Sequence, residues 1–431
     1  MIITLLTYYL GLTIEKDNKR LKLIIGLLCC FGILLIYKYN FFFANLFEII
    51  LRREFNISSL AVPAGISYYI FEATSYIIDI YNKKTKAQHN ILKYALFISF
   101  FPKLISGPIE KTKDFIEQID NPHKFDYGKF EEGALLAIWG LFLKIVIADR
   151  ISIFVNTIYG DINTYTGFYL AFATLAYAFQ IYCDFSGYAI MAIGFSKILG
   201  IELIDNFNVP YLSISIIDFW KKWHISLTNW LRDYVYIPLG GNRNGKCRKY
   251  FNIMIVFLIS GMWHGSNINF IIWGAINGFY QIINYELRPL IKKVYIKLNI
   301  NEGSSIVRIL QGIITFLLID FSWIFFRAST PFEAIQIISS IFHSNNINIL
   351  FDYSIFTCGI DRGDALILFI SLTLLLIAEI KKKNGVCLRK DIINYPSFRK
   401  SIIIAAFICF VLLFGKWGPS FDASEFIYAK F

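Results

Sequence analysis

Two of the five histidines in this 431-residue chain sit where a titratable side chain is hard to accommodate. His264 lies in the apolar run Ile253–Ile272, within FLISGMWHGSNINFII, among residues suited to lipid or to a dry interior. An ionisable group at that depth is tolerated only against a partner or a cavity, which makes it a functional-site candidate. A neutral imidazole there accepts a proton from a hydroxyl, as a general base must. The competing reading is a core histidine satisfied by a neighbouring helix. Gly261 and Gly265 flank it, and their missing side chains let a substrate or another backbone come close. Upstream, His224 stands in FWKKWHISLTNWLRDYVYIPLGGNR, with Trp220, Trp223 and Trp230 at about helical spacing. Interfacial tryptophans with an incidental histidine explain that much. They do not explain Arg232 and Asp233 in the same short segment.

Other chemistries find less support. GGNRNGKC (240–247) has the outline of a phosphate-binding loop, but Cys247 replaces the hydroxyl residue that would hold magnesium, and no βαβ unit surrounds it. The chain has no G-x-S-x-G, no H-E-x-x-H and no carboxylate pair at a useful spacing. Its seven cysteines lack metal-ligand spacing, so neither a disulfide nor a metal site is expected. Arg327, ending FSWIFFRAST, reads as a snorkelling anchor. Asp184, in YCDFSGY, either caps a broken helix or keeps a cavity polar.

The elements that must hold these residues are helices in lipid. Apolar residues make up 56% of the chain with glycine left out, charged residues only 17%, and mean hydropathy is +0.54. A soluble domain reaches about 45–50% with glycine counted, so the surplus needs lipid as its outer solvent. Apolar runs at 2–13, 21–47, 60–80, 91–109, 133–158, 167–200, 251–263, 268–285, 309–326, 364–380 and 402–416 lack strand-like alternation. They predict about ten or eleven membrane helices. The net charge of +11 is concentrated in connectors such as 15–20, 82–88, 286–297 and 381–391, which places those connectors in the cytoplasm. It also attracts anionic headgroups, whereas nucleic-acid binding is disfavoured because no basic face is backed by a soluble fold. The segment 110–132 reads as an amphipathic stretch on the membrane surface. The Trp/His string holds too many charges for an ordinary span, so it is assigned as a re-entrant or cavity-lining element. MIITLLTYYLGLTI has neither a basic leader nor a cleavage site, and is short for a span. The expected fold is an all-α integral membrane protein, a polytopic bundle with residues 1–431 as one domain.

FWKKWHISLTNWLRDYVYIPLGGNR followed by GMWHG resembles the membrane-bound O-acyltransferase superfamily, and within it the bacterial branch that includes the alginate O-acetylation membrane subunit. FFPKLISGPIEK (100–111), YAFQIYCDFSGYAIMAIGFSKILGI (177–201), NFNVPYLSISIIDFW (206–220), FSWIFFRA (321–328) and FIYAKF (426–431) extend the resemblance from near residue 60 to the C-terminus. The resemblance implies a multi-helix bundle around a central funnel or tunnel, through which an acyl group passes from a cytoplasmic donor. It assigns His264 as the catalytic histidine and His224 as the second important one. Trp223, Ser226, Arg232, Asp233 and Trp263 fall in the same motifs, as tunnel-lining or positioning residues. It further implies a bacterial plasma-membrane enzyme that O-acetylates an exported cell-envelope polysaccharide. The donor would be acetyl-CoA or an acyl carrier protein thioester, with no tightly bound cofactor. An extracytoplasmic acetyltransferase is the expected partner. Relatives begin with an additional apolar stretch before the segment matching MIITLLTYYLGL, so the start is expected to be truncated or divergent. Two rivals stand beside this reading. A teichoic-acid D-alanyl transferase uses the same chemistry, and a transporter or channel explains broken helices and buried polar groups without catalysis.

Overall fold

A computed structural model of the chain describes residues 1–51, 63, 65–121, 123–344 and 346–417, with the side chains of 40–51 and 350 set aside. The FIYAKF segment lies outside these residues, as does Ala64 between Pro63 and Gly65. Among the described residues every regular element is helical, as the apolar runs without alternation require.

Three helices open the chain: α1 (Ile2–Asp17), α2 (Arg20–Leu51) and α3 (Ile66–Tyr81). Asn18 closes α1 in the left-handed conformation (φ 49), its N–H bonded to the Ile14 carbonyl. The run at 91–109 departs from expectation. It yields only α4 (Ile91–Ser99) before breaking into turns around Pro102, Gly107 and Pro108, and nine residues are too few to cross a bilayer. Lys103 in those turns is buried against Glu72 of α3, with Nζ 2.5 Å from Oε1. The mixed connector that follows forms α5 (Thr112–Asp120), whose apolar side buries Thr112 and Phe115.

The run at 133–158 also divides. A π-helical turn at Phe142–Ala148 separates α6 (Tyr127–Leu141) from α7 (Asp149–Gly160). The π turn carries Lys144 inward to two acids, its ammonium 2.7 Å from Asp149 and 2.7 Å from Asp184. Asp184 belongs to α8 (Phe168–Ile198). It lies inside this continuous helix and caps no break; its carboxylate instead forms an ion pair between helices with Lys144. α6 and α8 cross at glycines spaced seven apart on both helices: a Cβ on Gly140 would stand 2.5 Å from the Gly187 carbonyl, and one on Gly194 2.6 Å from that of Gly133. Small residues at such a crossing let backbones touch, which is how helices gain packing energy in lipid.

The Trp/His string folds as two short helices, α9 (Ile216–Trp220) and α10 (Ile225–Leu231), and a π-helical turn at Arg232–Tyr236. Two longer helices follow, α11 (Gly245–His264) and α12 (Ile268–Lys297), then α13 (Ser305–Arg327) and α14 (Pro331–His343). The last described elements are α15 (Arg362–Lys383), α16 (Leu388–Ile393) and α17 (Ser397–Phe414). Arg150 fastens the end, its guanidinium pairing with Asp364 at 2.8 Å and donating to the Phe414 carbonyl at 2.7 Å. Among the described residues four helical segments are long and apolar enough to cross a membrane: Arg20–Tyr39, Ser305–Arg327, Arg362–Lys383 and Ser397–Phe414. α15 and α17 leave most of their apolar side chains exposed, as lipid-facing helices do.

Candidate active site

His224 is placed by a backbone conformation that few residues adopt. It precedes α10 with φ 45 and ψ 55, the left-handed region, which is strained for a residue with a side chain. Such strain persists only where surrounding bonds over-determine it. Here the segment 206–208 supplies them. The Ile225 N–H donates to the Asn206 carbonyl at 2.9 Å, the Ser226 N–H to Asn206 Oδ1 at 3.1 Å, and the Asn208 N–H to the Lys222 carbonyl at 3.0 Å. The turn between α9 and α10 is thereby clamped, and the imidazole is directed into the core, 2% exposed.

His264 arrives from another direction, as the last residue of α11. Two asparagines in the HGSNIN turn fix its position. Asn267 caps α12 by accepting from the Asn269 N–H at 3.0 Å, and Asn269 Nδ2 donates to the Ala328 carbonyl at 2.6 Å, tying the turn to the end of α13. Gly261 and Gly265 are thin for the sake of protein: a Cβ on either would collide with Phe270 at the start of α12. Of the two partners the sequence allows at these glycines, the structure supplies the neighbouring chain.

The two histidines meet on one indole. The Trp263 ring lies 4.9 Å from that of His264 and 5.7 Å from that of His224, centroid to centroid. Phe185 and Tyr68 complete the surroundings of His224, at 4.6 and 6.4 Å. Trp273 and Phe326 complete those of His264, at 5.1 and 5.2 Å. From Trp273 the contacts continue through Trp323 to Trp223, at 5.7 and 5.2 Å, and so return to the residue before His224. A closed circuit of aromatic rings therefore joins α3, α8, α11, α12, α13 and the short helices. Within it several buried polar atoms have no hydrogen-bond partner among the described residues: Tyr68 Oη, Ser226 Oγ, Asn206 Nδ2, and the indole nitrogens of Trp220, Trp263 and Trp273. Buried polar atoms in native folds are nearly always paired. The unpaired groups of Tyr68, Trp263 and Trp273, whose rings touch the two imidazoles, suit a polar reacting group, such as a hydroxyl and the carbonyl it attacks.

Of the residues singled out by sequence, His224, His264, Trp263, Trp223 and Ser226 thus fall in or beside one buried aromatic cluster. Arg232 and Asp233 form a separate cluster. Asp233 accepts from Arg232 Nε and from Lys111 Nζ, each at 2.9 Å, and Arg232 is half exposed. Partial burial of the Asp233 carboxyl raises its pKa, but the hydrogen bonds from Arg232 and Lys111 outweigh that and hold it below the usual carboxylate range. Sequence reading missed Tyr68, Phe185, Trp273 and Phe326, which look like ordinary core residues until the fold assembles them. It also missed Lys38, 5.5 Å from the Trp263 ring centroid, although a lysine within the apolar run 21–47 was itself a signal.

Comparison with known proteins adds an independent line. The model of the MBOAT, membrane-bound O-acyltransferase, family matches residues 81–303, which include the whole histidine region. The probable alginate O-acetylase AlgI of Pseudomonas aeruginosa is 39% identical over 336 residues, covering 76% of this chain and 62% of that protein. The peptidoglycan O-acetyltransferase of Helicobacter pylori is 34% identical over 373 residues, covering 79% and 69%. The teichoic acid D-alanyltransferase of Bacillus subtilis is 28% identical over 287 residues, covering 62% and 69%. The chain therefore spans about two thirds of the length of the curated relatives it matches.

Proposed function

The chain belongs to the membrane-bound O-acyltransferase family, and from that premise we propose that it transfers an acetyl group from a cytoplasmic thioester for O-acetylation of an exported cell-envelope polysaccharide. The observation that carries this reading is the meeting of His224 and His264 on Trp263, inside a buried aromatic cluster with unpaired polar atoms. In this reading His264 is the general base. It takes the proton of an attacking hydroxyl as the oxygen adds to the thioester carbonyl, and the thiol leaves with a proton when the tetrahedral intermediate collapses. His224, Trp223, Trp263 and Ser226 orient the reacting groups, while Arg232 and Asp233, on the half-exposed cluster with Lys111, hold the aromatic cluster's flank. The donor is acetyl-CoA or an acylated carrier protein, and an extracytoplasmic acetyltransferase passes the group to the glycan. The same reading takes the bundle as crossing a bacterial plasma membrane about ten or eleven times around a central tunnel, with the more polar α8, α11 and α12 among the crossings and the Trp/His string re-entrant.

D-alanyl transfer is the second reading. The Bacillus subtilis D-alanyltransferase supports it, at lower identity and over less of this chain than the two O-acetyl-transferring relatives. Mass analysis of envelope polymers from a strain lacking the gene separates the two. Loss of ester-linked acetyl groups is the expected result. Loss of D-alanyl esters with acetyl intact transfers the assignment to the second reading, and no change in either removes both.

A further inference from the structure

The last carbonyls of an α-helix have no intrahelical donor, and the end of α11 is where His264 sits. Helices often meet this need with a left-handed residue just past the end, but Gly265 is extended there, at φ −177 and ψ 167. Donors come instead from α2, a helix 225 residues away in sequence. The Lys38 ammonium donates to the Trp263 carbonyl. The Tyr39 hydroxyl donates to the Met262 carbonyl and, at 3.4 Å, to that of Gly265. Lys38 also lies within cation–π range of the Trp263 ring, the indole both histidines share. A cation at a helix C-terminus faces the negative end of the helix dipole, which favours just this placement. The partner also accounts for a lysine inside an otherwise apolar segment.

We propose that Lys38 and Tyr39 are positioning residues: they cap the end of α11 from the neighbouring helix and so fix the placement of His264 and Trp263 in the aromatic cluster. This role presupposes acyl transfer at His264, whereas the cap itself does not. Two measurements on the full chain in proteoliposomes therefore keep the questions apart. The first is hydrogen exchange of the last turn of α11, which is expected to speed up about tenfold or more in Lys38→Met and less in Tyr39→Phe, with α15 and α17 unchanged. The second is thiol release from acetyl-CoA with the extracytoplasmic acetyltransferase and envelope glycan both supplied. Lys38→Met is expected to lower kcat about tenfold at unchanged KM for acetyl-CoA, because a misplaced base weakens the transition state more than donor binding. Lys38→Arg keeps a cation at the carbonyls and is expected to restore most of kcat. Unchanged exchange in both Lys38→Met and Tyr39→Phe overturns the cap. Faster exchange with kcat intact overturns the positioning role. A wild-type protein that consumes no acetyl-CoA counts against the transfer reaction and the positioning role together, and exchange still decides the cap.

Discussion

At the scale of single residues, the proposed chemistry rests on two imidazoles and the indole between them. His264 is held by the end of a helix, but His224 is held by a strained turn, and that difference has a consequence. His224→Ala removes the ring that packs on Phe185, Tyr68 and Trp263 while leaving the bonds from Asn206 to the following amides in place. The fold should survive, and what is lost is the orientation of Trp263 and, through it, of His264. A displacement of about 1 Å at a reacting group can reduce rate a hundredfold, so His224→Ala is expected to lower the acetyl-transfer rate by about that factor at normal protein level. A rate within about twofold of wild type, with tryptophan fluorescence unaltered, would show that His224 has no such role. Both histidines were legible in sequence because their neighbours made them costly or conspicuous. Lys38 carried the same signal and was overlooked, since its carbonyl partners lie in a helix that sequence does not place beside it. Arg232 and Asp233 were legible as charged residues near a histidine, yet their bonds run to each other and to Lys111. Adjacency in a motif is not adjacency in space.

At the scale of elements, the helices followed from the apolar runs, and the breaks within them did not. The run at 133–158 gives no sign that a π turn will carry Lys144 inward, because the two acids it serves are met only after α8 docks. The run at 91–109 reads as a helix with a breaker at Gly107–Pro108, but the helix ends at Ser99 and turns around Pro102, Gly107 and Pro108 replace its second half. The seven-residue glycine spacing on α6 and α8, by contrast, is visible in sequence once the two helices are known to cross. The Lys144 pair locks that crossing. Lys144→Met leaves Asp149 and Asp184 buried without their cation, and breaking a buried pair in this way costs about 3–5 kcal/mol. Purified Lys144→Met is therefore expected to melt well below wild type in the same detergent. An equal melting temperature would mean that the two carboxylates are satisfied without the lysine.

At the scale of the whole molecule, the described residues form a helical bundle whose lipid-suited outer helices surround a buried aromatic cluster built from elements scattered between residues 68 and 326. That scatter explains why composition disclosed the environment and the motifs disclosed the histidines, while the circuit of rings joining them needed the fold. Both imidazoles lie inside the bundle, 2% and 3% exposed, as the proposed reaction would need of a base that serves a donor and an acceptor on opposite sides of a membrane. The most direct test replaces the native gene by His264→Ala and measures the acetate that mild alkali releases from envelope glycans. A positioned general base contributes about a hundred- to ten-thousandfold in rate. Acetate is therefore expected to fall to the level of a deletion strain while the protein accumulates normally in the membrane. Acetate at the wild-type level, with His264→Ala present in normal amount, would contradict the assignment of this cluster as the site of acyl transfer.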